Sequence, residues 1–262
     1  MKLVVCGDSF ACGVGCINMY TQPFGPLVSK HFGWDLVTLA RGSSSNYGIY
    51  LQGTFAATLD PQLVLISLTS YDRVEWVSDG KDKFKDKHNF SLYDMNYHQY
   101  PPHYEALPHH NSPMEFYTNN EKYNPVILTE QVGAIPDYLD CVKRKVSTNY
   151  YKRFHTEPTD KLELIARHYG MCVHPAIKRD YDIGLILQAY TKIKRSNSKC
   201  IIMTNDKKFK EYFDENDLFY QDWTDLSDRF PDTIGSRHTS AEGHKDTADR
   251  LIQFITEHGH HN

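Results

Sequence analysis

A serine, Ser9, follows the apolar run Leu3-Val4-Val5-Cys6 in the string Gly7-Asp8-Ser9-Phe10, and a histidine, His238, stands near the far end in His238-Thr239-Ser240-Ala241-Glu242-Gly243-His244. A serine hydroxyl is a poor nucleophile until an imidazole within hydrogen-bond reach takes its proton; together the two types suit acyl transfer through a covalent intermediate. Ser9 falls where a short buried strand runs out into a turn, at the sheet rim where open α/β folds hold their ligands. Folding has to return the distant imidazole to it. The plainer role for Asp8-Ser9 is to cap a following helix.

The elements that must position these groups are readable from hydrophobic pattern. Residues 2–6 read as a strand, 22–32 as a helix, Trp34 to Leu39 as a second strand, Asn46 to about Leu59 as a helix, and Leu63-Val64-Leu65-Ile66-Ser67-Leu68 as a third strand. Such alternation predicts a parallel sheet covered on both faces. From 78 to 160 the composition shifts to His, Tyr, Asn and Pro, with weak periodicity until about Ile135. That is too long for an ordinary loop, so it reads as an insertion within a single domain, either a lid or an interaction surface. The pattern then resumes. Ile177 to Arg195 carries Ile183, Leu187, Tyr190 and Ile193 at helical spacing, Lys199 to Thr204 reads as a fourth strand, and Ser240 to Glu257 as a last helix with an Ala248, Leu251, Ile252 and Ile255 stripe.

Composition narrows the partners. The chain has 262 residues, enough for one buried α/β domain with an insertion, and 29 basic against 33 acidic side chains leave a net charge of -4. No strong field recruits nucleic acid or acidic lipid, so a small-molecule or carbohydrate partner is expected. No apolar stretch suits a membrane span or signal peptide, and the six scattered cysteines suit a reducing, cytoplasmic setting.

No metal or other cofactor is expected. Cys12 and Cys16 lack an answering Cys/His pair for zinc, and His98, His103, His109 and His110 have neither regular ligand spacing nor a carboxylate partner, so they read as a solvated loop. Gly13-Val14-Gly15 fails as a dinucleotide fingerprint because Asn18 stands where the next glycine is required. Tyr93, Tyr97, Tyr100, Tyr104 and Tyr117 in the insertion offer faces that can stack on sugar rings, which makes a carbohydrate ester the substrate to expect.

Gly7-Asp8-Ser9-Phe10 and the His238 block, in this order and spacing, resemble the SGNH (GDSL-type) hydrolase family. The resemblance implies a flavodoxin-like three-layer α/β/α sandwich and hydrolysis of esters, thioesters or O-acetyl groups. It implies Ser9 as nucleophile, its own N–H as an oxyanion donor, and His238 as base. The family's second block corresponds to Leu39-Ala40-Arg41-Gly42-Ser43-Ser44-Ser45-Asn46, with Gly42 the best oxyanion donor and Ser43 beside it; a helix cap built from Ser44, Ser45 or Asn46 accounts for the same residues.

The third block departs from the pattern. An ungapped match puts Thr69-Ser70-Tyr71-Asp72 where Gly-x-Asn-Asp stands in the family, so Tyr71 replaces the asparagine and Ser70 is a second substitute. Loss of that donor would cost about a hundred- to a thousandfold in turnover. In the fourth block the aspartate common three positions before the histidine is Gly235 here; Asp232, three residues earlier, or a backbone carbonyl is left to orient His238. His244 reads as a packing residue of the last helix.

The resemblance covers both ends of the chain and leaves the insertion unexplained. Two functions therefore stand at this level. One is a serine ester hydrolase. The other is a binding or structural module that keeps the fold and has lost the chemistry, since function resides in sites rather than folds.

Overall fold

Leu3, Val4, Val5 and Cys6 are all fully buried, and so are Leu63, Val64, Leu65 and Ile66. Continuous apolar runs of this kind belong to strands covered on both faces. The computed structural model of the protein describes residues 1–40, 44–71, 73–78, 126–131, 175–233 and 238–261. Over these residues the chain forms β1 (Lys2–Cys6), α1 (Phe24–Phe32), β2 (Asp35–Thr38), α2 (Asn46–Ala56), β3 (Leu63–Ser67), β4 (Arg73–Ser78), β5 (Val126–Gln131), α3 (Pro175–Arg195), β6 (Lys199–Thr204), β7 (Leu218–Tyr220), α4 (Trp223–Arg229) and α5 (Ala241–Glu257).

Five strands make one parallel sheet in the order β2-β1-β3-β6-β7. Numbered within the sheet this is 2-1-3-4-5, the flavodoxin-like order, with its switch point between the first and third strands. Successive side chains of a strand point to opposite faces, and the core divides accordingly. Val4, Cys6, Val64, Ile66, Cys200 and Ile202 pack with Ile49 of α2 and Ile183, Ile186 and Ile193 of α3. Leu3, Val5, Leu63, Leu65, Ile201 and Met203 pack on the other side with α1, α4 and α5, through Phe24, Val28, Leu226, Leu251 and Ile255. The result is the expected α/β/α sandwich.

Three features lay beyond the sequence pattern. β7 has only three residues at the edge of the sheet, and α4 is seven residues long with Asp222 capping it by accepting from Thr224 and Asp225 N–H. β4 and β5 form a separate two-stranded antiparallel sheet, with Arg73 opposite Gln131 and Ser78 opposite Val126. The insertion expected over 78–160 otherwise lies outside the described residues. Among those residues no helix is long and apolar enough to cross a membrane.

Candidate active site

Ser9 sits in the turn that leaves the C-terminal end of β1, at the switch point of the sheet. Gly7 is what lets the chain turn there. Its φ is +157°, and a Cβ would stand 2.4 Å from the Ala11 Cβ and 3.0 Å from the Ser67 Cβ, so a side chain would collide with both the turn and β3. Its N–H donates to Gln52 Oε1 at 2.7 Å. The segment that follows is a hydrogen-bonded turn rather than the helix that a capping role for Asp8-Ser9 would require. Cys12 N–H reaches Asp8 O at 3.0 Å and Val14 N–H reaches Ser9 O at 2.9 Å. Ser9 keeps 6 % of its surface exposed.

The C-terminal block comes back to this turn. Pro231 and Thr239 form an antiparallel bridge, and inside it Asp232 N–H donates to His238 O at 3.1 Å while His238 N–H donates to Asp232 Oδ2 at 3.0 Å. Asp232 thus grips the main chain of His238. The half-buried imidazole lies on the ring of Phe10, the residue after Ser9, with centroids 4.6 Å apart and planes tilted by 42°. The fit from the other side is equally close: a Cβ on Gly15, whose φ is +100°, would stand 2.3 Å from Thr239 O and 3.2 Å from the His238 Cβ. Among the described residues no hydrogen bond joins the Ser9 hydroxyl to His238; the imidazole lies against the next residue of the serine turn, and such contacts often close only with substrate bound.

His244 is fully buried between the rings of Phe24 and Trp223, each about 6.0 Å away by centroid. Burial, reinforced by the charge of His238, pushes its pKa down to about 3, so it is neutral at ordinary pH. Neither of its ring nitrogens has a hydrogen-bond partner among the described residues. It serves the packing of α5, as its sequence position suggests.

The remaining expected residues divide. Gly42, Ser43 and Asp72 lie outside the described residues. Ser70 is exposed on the turn after β3. The Tyr71 hydroxyl donates to Asp206 Oδ2 at 2.9 Å, across the rim beyond β6. Burial and that carboxylate raise the Tyr71 pKa far above the ordinary phenol value, so the group stays protonated.

Gln52, Lys178 and Asp182 lie outside the family's blocks, and Asp8, Ser44, Ser45 and Asn46 fall inside them without an assigned catalytic role. Asp8 is buried beside Ser9 and accepts the Thr69 hydroxyl, while Asn46 and Gln52 project from α2 into the same region and are fully buried. Ser44 accepts from Gln52 Nε2 at 3.2 Å, and Ser45 caps α2 by accepting from Gly48 N–H at 3.2 Å. Asp182 and Lys178 of α3 are buried beside Asn46. The available signal is the charged pair Lys178 and Asp182 at i and i+4 on a helix with many other polar residues, which reads equally as a solvated face. Among the described residues no group of three His, Cys, Asp or Glu side chains is arranged to hold a metal ion, and the buried Cys6 and Cys200 are free thiols.

No protein-family profile matches the chain, and no curated protein matches it in sequence. Among solved structures, 98% of the chain aligns with a carbohydrate esterase whose active site displays divergent catalytic and non-catalytic binding functions, at 12% identity and a TM-score of 0.40. The same share aligns with the acetyl xylan esterase Est2A from Butyrivibrio proteoclasticus at 11% identity and a TM-score of 0.42. The chain spans 64% and 63% of the length of these two proteins. A G-D-S-L family protein from Desulfitobacterium hafniense DCB-2 aligns over 97% of this chain and 98% of its own, at 11% identity and a TM-score of 0.32.

Proposed function

We propose that the protein is a serine ester hydrolase of SGNH type acting on an acyl or O-acetyl ester, with an acetylated carbohydrate among the first substrates to test. The observation that carries this reading is the return of the C-terminal block to the serine turn, with the His238 imidazole lying on Phe10. In the reaction Ser9 Oγ attacks the acyl carbonyl as His238 takes the hydroxyl proton. The oxyanion meets the N–H groups of Ser9 and Gly42. As the tetrahedral adduct collapses, the C–O bond to the alcohol breaks and His238 returns its proton to the departing oxygen, leaving an acyl-enzyme on Ser9. A water molecule then repeats the sequence, with His238 again as base, and releases the acid. Asp232 is the positioning residue of His238, acting through the main-chain N–H that it accepts.

The test is active-site labelling. A fluorophosphonate probe should modify the wild-type protein at Ser9 and leave Ser9→Ala and His238→Ala unmodified, and p-nitrophenyl acetate should be turned over by the wild type alone. An unlabelled wild type without esterase activity on short esters would refute the reading. The engagement of the Tyr71 hydroxyl by Asp206 favours a second reading, a binding module with the chemistry lost. That reading predicts that deletions within 80–160 abolish function while Ser9→Ala leaves it intact.

A further inference from the structure

Behind the rim, a chain of buried side chains that the proposed chemistry does not use runs from the serine turn to α3. Both oxygens of Asp8 are engaged, Oδ1 by Phe10 N–H at 3.0 Å and Oδ2 by the Thr69 hydroxyl at 2.8 Å. A single amide in turn clasps the main chain of Thr69: its N–H donates to Asn46 Oδ1 and its carbonyl accepts from Asn46 Nδ2, each at 3.1 Å. Asn46 Nδ2 also donates to Asp182 Oδ2 at 2.9 Å, and Lys178 Nζ donates to Asp182 Oδ1. Asn46 and Asp182 are fully buried, and only 9 % of the Lys178 side chain is exposed.

A buried ion pair is weak evidence for stability, because apolar residues of similar volume often replace one without loss. Its effect here is on orientation. The Asn46 amide grips Thr69 only if its oxygen faces the Thr69 N–H and its NH2 faces the carbonyl; turned over, it meets donor with donor and acceptor with acceptor. A carboxylate accepts and cannot donate, so Asp182 on the NH2 side admits one orientation alone. Burial favours the protonated form of Asp182, and the Lys178 ammonium opposes it.

We propose that Asp182, kept as an acceptor by Lys178, is a positioning residue that sets the shape of the serine turn through Asn46, Thr69 and Asp8. The inference rests on the ester hydrolase reading for its effect on rate and on the hydrogen bonds alone for its effect on structure. Two double variants separate this role from bulk stability. Lys178→Met with Asp182→Asn removes both charges and keeps an oxygen for Asn46. Lys178→Met with Asp182→Leu removes the charges at similar volume and leaves Asn46 with no acceptor there.

The leucine variant should label at Ser9 with a fluorophosphonate about tenfold or more slowly than wild type, since a misplacement of about 1 Å can cost about a hundredfold. Its loss of p-nitrophenyl acetate turnover should appear in kcat, with KM unchanged. The asparagine variant should stay within roughly threefold of wild type by the same geometric argument. Equal labelling of the two variants, or rates that follow Tm across the set, would overturn the proposal. Amide hydrogen exchange at Thr69 and Phe10 supplies the readout that does not need activity, and should be faster in the leucine variant than in the other two proteins. If the wild type fails to label, the hydrolase reading falls and exchange still decides this one; equal exchange overturns it. Should the leucine variant be unfolded, Thr69→Val cuts the same chain at the hydroxyl that reaches Asp8, and wild-type labelling with wild-type Phe10 exchange in that variant overturns the proposal equally.

Discussion

Replacing Gly15 by alanine would place a methyl group 2.3 Å from the carbonyl oxygen of Thr239 and 3.2 Å from the Cβ of His238. Ordinary contact lies near 3.5 Å, so the segment holding the imidazole has to retreat by about 1 Å. The added residue also keeps a φ of +100°, which a side chain adopts only under strain. Backbone strain of about 1–2 kcal/mol and overpacking of about 1–3 kcal/mol together put the loss of stability at about 2–5 kcal/mol. A shift of this size in the proposed base should slow labelling of Ser9 by about a hundredfold. Gly33→Ala is the control. Gly33 closes α1 at a φ of +65°, and a methyl group added there would find nothing within 4 Å, so the strain is present and the collision is not. That variant should lose about 1 kcal/mol and label at the wild-type rate. The assay is the second-order rate of fluorophosphonate labelling, set beside Tm for each protein. If Gly15→Ala labels as fast as Gly33→Ala, the approach of the His238 segment to the serine turn is not what the rate depends on, and the reasoning fails.

Asp232→Ala removes the acceptor of the His238 N–H and should cost about 1.5–3 kcal/mol, with a fall in kcat for p-nitrophenyl acetate. Unchanged turnover would separate Asp232 from the site. Ser45→Ala removes the cap of α2 and should lower stability by about 1 kcal/mol, read as a drop of about 2–4 °C in Tm. An unaltered Tm would deny the cap its role. For His244 the folded pKa of about 3 lies below the ordinary 6.5, so between those values the unfolded chain binds a proton that the folded one does not. Its contribution is present above 6.5 and is lost as pH falls toward 3, at up to about 1.4 kcal/mol per pH unit. His244→Phe should flatten the acid limb of the urea midpoint against pH, and an identical limb in both proteins would show that His244 does not titrate differently on folding.

The strands of the parallel sheet are legible because a strand covered on both faces has to be apolar throughout, and the runs at Leu3, Leu63 and Cys200 meet that demand. β7 is not, since Leu218, Phe219 and Tyr220 are too few to show a period, and its pairing with β6 is set by tertiary contact. Arg73 to Trp76 alternates polar and apolar residues, yet nothing local to it names Val126–Gln131 as the partner of this strand. Within the site, Ser9 and His238 stand out because their residue types fall in recognisable strings. Asn46, Thr69 and Asp182 look like cap, loop and helix surface because what unites them is one amide reaching from α2 to a turn and to a helix far along the chain. Hydrogen bonds across such separations leave no periodicity. Asp232 draws notice by its position before the histidine, and the grip it exerts on the peptide group is a matter of backbone path that spacing does not encode.

The bridge between Pro231 and Thr239 leads directly into α5, and α5 supplies Ala248, Leu251 and Ile255 to the face that α1 also covers. Sealing that side of the sheet and seating the imidazole are therefore one event. While α5 is undocked, the flank that Ala248, Leu251 and Ile255 cover stands open, and His238 is not held against Phe10 of the serine turn. On the ester hydrolase reading, competence for chemistry would arrive as that flank closes, and a nick that released α5 would forfeit both at once.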